Sequence, residues 1–364
     1  MPNPPLPSLT IKGIRVPLPI VQGGMGVGVS LHPLAGAVAL AGGFGTLSSA
    51  CLDRLVGQRL GRKLGTYEAV REEVAAARAT GGFSGINVMV AVQRDYEATV
   101  RAAIDEGAHA IISGAGLPLA LPDIQAPGDT ALIPIVSSSR ALQIICRRWE
   151  RQHYRPDAVV LEGPLAGGHL GFQMDQIDLE ENTLERLLPP VKEVAQSHGD
   201  FPVIVAGGIY TNEDIRRFLA MGADGVQIGT RFLATEESSA TEAYKQAVVQ
   251  AKQEDIVVAA DPGSPCGLPF RVLRTSPMYQ SALADRRTPK CDKGYVLLKD
   301  EKGSFTRCRA KVAGDGCFCI CNGLCSSAGL AGSEEEPLYT VGTNAWRVDR
   351  IVTVRELMAE LADG

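Results

Sequence analysis

The sequence predicts an α/β fold: a parallel (β/α)₈ TIM barrel with a smaller cap inserted after its eighth strand. Short apolar runs alternate with helical stretches through the first 235 residues, the order that builds a parallel sheet. Glycines fall at the ends of those runs, as at Gly23-Gly24, Gly42-Gly43, Gly114, Gly116, Gly163, Gly207-Gly208 and Gly229, which suits a loop-rich face with close backbone approaches. Periodicity alone leaves an open doubly wound sheet as the alternative. Against it, Gly23-Gly24-Met25-Gly26-Val27-Gly28 is glycine-rich but lacks the GxGxxG spacing of a dinucleotide turn.

In chain order, the candidate strands are 20–22, 44–47, 84–90, 110–113, 132–136, 158–161, 203–206 and 225–228. Helical patterns between them cover 67–80, 95–106, 140–150, 183–197 and 212–221. The last two strands are the most informative. In FPVIVAGGIYTNEDIRRFLAMGADGVQIGTRFL (201–233) each apolar run ends in glycine, and one amphipathic helix separates them. The loops after strands seven and eight of such barrels commonly hold a phosphate, since glycine lets backbone N–H groups approach its oxygens. The competing reading is two tight turns that serve geometry alone.

After about residue 235 the alternation stops. Residues 238–254 read as helix, 261–271 (DPGSPCGLPFR) as a Gly/Pro loop, 280–335 as an irregular cysteine-rich segment, and 353–362 as an amphipathic helix. The domain reading is a barrel over 1–235, a cap over 236–340 and a return to the barrel over 341–364. A barrel of about 250 residues plus such a unit accounts for 364 residues. A net charge of −5 gives no electrostatic case for nucleic acid or an anionic membrane as partner. No apolar run reaches the roughly 18 residues of a membrane span, and MPNPPLPSLTIKG is no signal peptide, so a cytoplasmic location is expected.

One histidine stands out. His169 sits in Ala166-Gly167-Gly168-His169-Leu170-Gly171, a glycine-flanked loop after the sixth strand. An imidazole titrates near neutral pH and can accept a substrate proton or donate to a developing oxyanion. His32, His109, His153 and His198 lie in helical or connecting segments and read as structural.

The motifs PIVQGGMG, AGGFGTL, GINVMV, SGAGLP, LEGPLAGGHLG, PVIVAGGI, GADGVQIGTRFLATEES and SPCGLPFR occur in this order. With them the chain resembles the nitronate monooxygenase (2-nitropropane dioxygenase) family, which includes the FabK-type enoyl-acyl-carrier-protein reductases. The resemblance runs from Pro19 to about Leu273 and resumes at 341–347. It implies an FMN-binding barrel with a small substrate domain. Carried over by position, the backbone of Gly23, Gly24 and Met25 would lie near the isoalloxazine, and Gln22 would contact the flavin. Asn87 and Glu162 would give side-chain hydrogen bonds, and Gly207, Gly208, Gln227, Gly229 and Thr230 would hold the phosphate. The resemblance also places His169 near the reactive face of the flavin, to position or deprotonate substrate. The residues themselves admit blander roles: Gln22 and Asn87 as satisfied polar caps on strands, Glu162 in a rim salt bridge. Cys266 of the SPCGLP loop, where relatives more usually carry valine or methionine, reads as packing.

Six of nine cysteines crowd the last quarter of the chain, and Cys317, Cys319, Cys321 and Cys325 form C-x-C-x-C-x3-C. Clustered thiols in a chain without secretory signals suggest zinc or an Fe–S cluster, yet the spacing fits neither zinc-ribbon pairs nor a ferredoxin run. Redox thiols and plain burial stay open beside a metal site.

Two functions follow from the resemblance. The first is oxidation of alkyl nitronates by FMN and O₂ to a carbonyl compound and nitrite. The second is an NAD(P)H-driven reduction of an enoyl thioester or quinone at the same FMN site. A phosphate-binding barrel without redox chemistry is a third reading from another class, since fold does not fix function. The partners expected are a small-molecule substrate and, for the reductase, NAD(P)H. A homo-oligomer is left open.

Overall fold

The computed structural model describes residues 4–264, 268–284, 297–299, 305–308, 320–330 and 336–364. All eight expected strands form: Ile20–Gln22, Phe44–Ser48, Phe83–Met89, Ala110–Gly114, Ala131–Val136, Val159–Glu162, Val203–Ala206 and Gly225–Ile228. They close into a barrel in sequential order. The closing pair is parallel, with Val226 opposite Ile20, Gln227 opposite Val21 and Ile228 opposite Gln22. The open-sheet alternative is thereby excluded.

The strands read as continuous apolar runs because both of their faces are buried. Inward residues, among them Val21, Phe44, Ile112, Ile133, Val160 and Ile204, fill the barrel. Outward residues such as Leu47, Ile86, Ile111, Leu132, Leu161 and Val205 pack beneath the helical shell.

A feature absent from the sequence reading closes the lower end. Leu9–Ile11 and Ile14–Val16 pair as an antiparallel hairpin across Lys12 (φ 47°) and Gly13 (φ 79°), both left-handed. Its Leu9, Ile11 and Val16 join the inner core. A side chain on Gly225, which opens the eighth strand, would meet Leu9 at 3.1 Å. The N-terminal mouth is therefore plugged, and only the C-terminal mouth offers room for a site.

Two shell helices were also not anticipated. His32–Leu40 (HPLAGAVAL) is apolar on nearly every side and so shows no amphipathic period. Leu52–Leu60 starts from Cys51 in a left-handed conformation, without a capping side chain. The others match: Thr66–Ala79, Gln93–Asp105, Ser139–Glu150, Leu184–Ser197 and Asn212–Ala220.

Beyond the eighth strand comes a four-residue helix, Thr230–Leu233, and then the helix Glu242–Val249, shorter than expected. Ile256–Ala259 and Phe270–Leu273 form an antiparallel pair, and the latter also pairs with Gly168–His169. Helices Pro277–Ala284 and Ile320–Ser327 and a hairpin of Leu297–Lys299 with Phe305–Cys308 lie in the segment read as irregular. The final helix, Val354–Asp363, is capped by Thr353, whose hydroxyl accepts from the Glu356 N–H. Its Leu357, Met358 and Leu361 bury in the outer core. Asn212 donates to the carbonyls of Leu361 and Ala362 at 2.8 and 2.9 Å, tying this helix to Asn212–Ala220. It supplies the eighth helix of the shell.

Candidate active site

The loop after the first strand lies close against the barrel mouth. A Cβ on Gly24 would stand 2.4 Å from Asn87 Cβ and 2.9 Å from the Leu47 carbonyl. A Cβ on Gly26 would meet Ser48 Oγ at 2.7 Å. No side chain fits either position, so this backbone runs at contact distance over strands two and three. Gln22 anchors it from beneath. Its amide is fully buried, donates to Ser30 Oγ at 2.8 Å and to the Gly23 carbonyl, and accepts from the Thr46 N–H at 3.0 Å. The Gln22 side chain is thus engaged inside the barrel wall, the satisfied polar role left open above. Ser30 Oγ in turn accepts from the Met25 N–H at 2.9 Å. Met25 reaches toward the eighth strand, its Sδ 3.5 Å from a Cβ built on Gly229.

The strand-seven and strand-eight loops meet a third segment, 342–344. Gly207 (φ 99°) and Gly208 (φ 83°) are both left-handed, and side chains there would strike Ala166 N at 3.0 Å and Leu165 Cδ1 at 2.9 Å. Only glycine makes this turn. Thr230 Oγ1 accepts from the Gly342 N–H at 2.9 Å, and Asn344 donates to the Gly208 carbonyl at 2.6 Å. The Thr343 hydroxyl is buried without a partner among the described residues. The helix after Gly229 spans only four residues, so individual amides and hydroxyls are what this cradle presents, not a long helix dipole.

Several polar groups gather at the strand ends. Asn87 and Glu162, both half-buried, sit at strand positions facing Ser48 and Ala206 in the ladder. Burial pushes the Glu162 carboxyl up to about 7. It has no rim salt bridge among the described residues, contrary to its blander reading. Gln227 Oε1 and Thr46 Oγ1 are buried without a partner among the described residues, and a buried acceptor left so costs about 1–3 kcal/mol. Gln227 lies directly below the first loop, its Cγ 3.4 Å from a Cβ built on Gly23. A polar, ring-shaped ligand with a phosphate tail would satisfy these groups together, and FMN has that chemistry.

His169 is brought over this mouth by the cap. Its strand residue pairs with Phe270, the two rings meeting edge-on with centroids 4.5 Å apart. Its Nε2 lies 3.1 Å from Ser264 Oγ. Arg271 fixes the same loop from behind. It is 5% exposed, donates to the carbonyls of Pro164 (2.7 Å) and Ala166, and burial draws its pKa down to about 10. Neither Ser264 nor Arg271 was singled out from sequence, because both act through chain-distant partners. The SPCGLP motif was the available signal, although Cys266 itself lies outside the described residues. Three of the four other histidines are engaged elsewhere: His32 with Glu73 at 3.0 Å, His198 with Glu150 at 2.5 Å, His109 with the Ser84 backbone.

A cleft of about 350 Å³ lined by Tyr210, Arg231, Arg347, Asp349, Arg350 and Glu360 lies on the flank beyond Gly208. None of Asn87, Glu162 or His169 lines it, so it is distinct from the mouth.

Of the four cysteines considered as metal ligands, Cys317 and Cys319 lie outside the described residues. Among the described residues no group of three or more His, Cys, Asp or Glu could hold a metal ion. Cys321 and Cys325 stand one turn apart on Ile320–Ser327, and Cys325 meets Cys51 of the barrel. No helix among the described residues is long and apolar enough to cross a membrane.

A family model described as nitronate monooxygenase matches residues 8–364. A probable nitronate monooxygenase of Staphylococcus haemolyticus is 38% identical over 109 residues. That match spans 29% of this chain and 29% of the relative. The (3aS,4S,5R,7aS)-5-hydroxy-7a-methyl-1-oxo-octahydro-1H-indene-4-carboxyl-CoA dehydrogenase of Mycobacterium tuberculosis is 29% identical over 296 residues, 81% of this chain and 72% of that protein. Among solved structures, FabK from Thermotoga maritima superposes with a TM-score of 0.68 at 25% identity, covering 95% of this chain and 92% of that one. A nitroalkane oxidase from Streptomyces ansochromogenes superposes at 0.66 with 22% identity over 95% of each chain, a likeness of fold.

Proposed function

The chain belongs to the nitronate monooxygenase family, and from that premise we propose that this flavin-dependent oxidoreductase uses FMN and O₂ to convert alkyl nitronates to a carbonyl compound and nitrite. One observation supports the reading most. The C-terminal end of the barrel gathers a glycine-lined loop, the strand-end groups Asn87 and Glu162, a Gln227 Oε1 without a partner among the described residues, and a histidine held by Ser264 and Phe270.

In this reading Gly207, Gly208, Gly229 and Thr230 hold the phosphate, with the Thr343 hydroxyl added to the set. Gly23, Gly24 and Met25 lie under the ring, and Asn87, Glu162 and Gln227 meet its polar edge. Gln22 braces that loop from inside the wall. Bound FMN supplies the electron-accepting centre. His169 orients the substrate anion or takes its proton, and the Ser264 hydroxyl fixes the imidazole for that task. The domain division consistent with this arrangement is barrel 1–235, cap 236–340 and return 341–364.

A second reading is a reductase that takes hydride from NAD(P)H and passes it to an enoyl thioester or quinone. The superposition on FabK supports it, as does the dehydrogenase named for a carboxyl-CoA compound. The two part on one experiment. Purified flavoprotein is mixed anaerobically with NADPH, then NADH, then an alkyl nitronate, while the flavin absorption is followed. Bleaching only by the nitronate supports the oxidase. Rapid bleaching by a reduced nicotinamide overturns it for the reductase. A colourless protein that binds no added FMN removes both.

A further inference from the structure

We propose that Cys51 and Cys325 are a peroxide-responsive thiol pair whose disulfide locks the cap helix onto the loop after the second barrel strand, beside the glycine loop after the first. The two sulfurs lie 3.8 Å apart although 274 residues separate them in the chain. Cys51 follows the second barrel strand and opens the helix Leu52–Leu60. Cys325 belongs to the cap helix Ile320–Ser327. A disulfide needs its sulfurs about 2.05 Å apart, so side-chain rotation has only a short gap to close.

The two thiols are unequal in a way that suits stepwise oxidation. Cys51 is half-buried and open to a small oxidant, while Cys325 is fully buried. The Arg54 guanidinium lies 3.4 Å from Cys325 Sγ. Its N–H donates to that sulfur and steadies it beside Cys51. Hydrogen peroxide takes the Cys51 thiol to a sulfenic acid and releases one water. The Cys325 thiolate then attacks the Cys51 sulfur, the S–O bond breaks, and the departing hydroxide leaves as a second water. Two thiols and one peroxide thus give one disulfide and two waters.

Position gives the bond its consequence. Cys325 packs with Val27 and Leu330 in a small cluster that also includes Ala50, Cys51, Leu55 and Ala328. A Cβ on Gly28 would stand 2.7 Å from Ala328 Cβ. The cap helix therefore rests directly on the glycine loop of the barrel mouth, and a disulfide to the neighbouring Cys51 holds the helix there. This holds whatever substrate the mouth takes.

The test uses the full flavin-loaded chain, reduced and then exposed to hydrogen peroxide. Remaining thiols are alkylated and the digest is examined by mass spectrometry. The expected product joins the Cys51 and Cys325 peptides, reverts with dithiothreitol and melts several degrees higher than reduced protein. Cys51→Ser, folded by circular dichroism and carrying flavin, should give no such product. Arg54→Gln, which removes the guanidinium contact on Cys325 Sγ, should slow its formation by about tenfold. Both thiols still alkylatable after peroxide, Cys51 carried to sulfinic acid with Cys325 intact, or Cys325 joined elsewhere would each overturn the proposal. So would zinc or iron already shielding both sulfurs in the purified protein.

Discussion

Along the second barrel strand, Phe44–Ser48, every residue is buried, whereas three of the four residues of Ile256–Ala259 in the cap stay partly exposed. The barrel strand is covered by its neighbours, the inner core and a helix shell. The cap strand has one antiparallel partner and a thin core, in which Ala259, Phe270, Val272 and Leu338 are fully buried. The cap strands meet the barrel through Arg271 on two carbonyls, Ser264 on His169, the backbone pairing of Phe270 and Arg271 with Gly168–His169, and Leu273 in an apolar cluster with Val29 and Leu233. Burial spread over many residues makes a rigid frame, and a few directed contacts make a part that opens without unfolding it.

The sharpest way to break the barrel side of this contrast is Gly45→Ala. The new Cβ would stand 2.0 Å from the Ala35 carbonyl oxygen, backbone against backbone. Overpacking of this kind should cost more than about 3 kcal/mol. Chemical denaturation should show the whole chain weakened, with flavin lost alongside. Arg271→Met tests the cap side, since it strands two buried carbonyls, for about 3 kcal/mol of local destabilisation. Hydrogen exchange should rise across 163–171 and 256–273 while the barrel strands keep their protection and the flavin stays bound. Equal loosening of both regions would show that the cap is not a separate unit of stability.

His169→Ala is finer still. Turnover should fall by about 10²-fold with the flavin retained, because the imidazole contacts Ser264 and Phe270 of the cap and is no part of the barrel core. Flavin loss together with a collapsed fold would make His169 structural. Smallest is Glu162→Gln. A carboxyl raised from about 4.5 to about 7 leaves its stability contribution intact below pH 4.5 and loses it as pH rises through 7. Allowing for its half-buried position, the apo-protein should lose on the order of 1–2 kcal/mol over that window. The Gln variant should show a flat profile there in thermal melts.

The same contrast explains what could be read from the sequence. Barrel strands announce themselves locally, as apolar runs of which five are closed by glycine, and all eight lie where those runs fall. Gly207-Gly208 and the helix Asn212–Ala220 with its Thr211–Asp214 capping box are likewise local signals. The hairpin of Leu9–Ile11 and Ile14–Val16 carried alternation around Lys12-Gly13 that a proline-rich flank obscured. His32–Leu40 had no period to read, being covered on nearly all sides. The site's cap half was least legible. Gly168–His169 becomes a strand only because Phe270 and Arg271, about a hundred residues on, lie beside it. Arg271 reads as a surface cation until Pro164 and Ala166 meet it.

The position of Val354–Asp363 in the shell has a consequence for synthesis. This helix follows the cap in the chain, yet it packs against the first-unit helix His32–Leu40 and against Asn212–Ala220. On a ribosome adding about 5–20 residues per second, eight strands leave the exit tunnel with that seam of the shell still bare. It stays bare while the cap segments are translated. The nascent barrel therefore exposes Ile215, Phe218 and Val38 surfaces at its seam for several seconds, and chaperone engagement should peak there and end when the last helix docks.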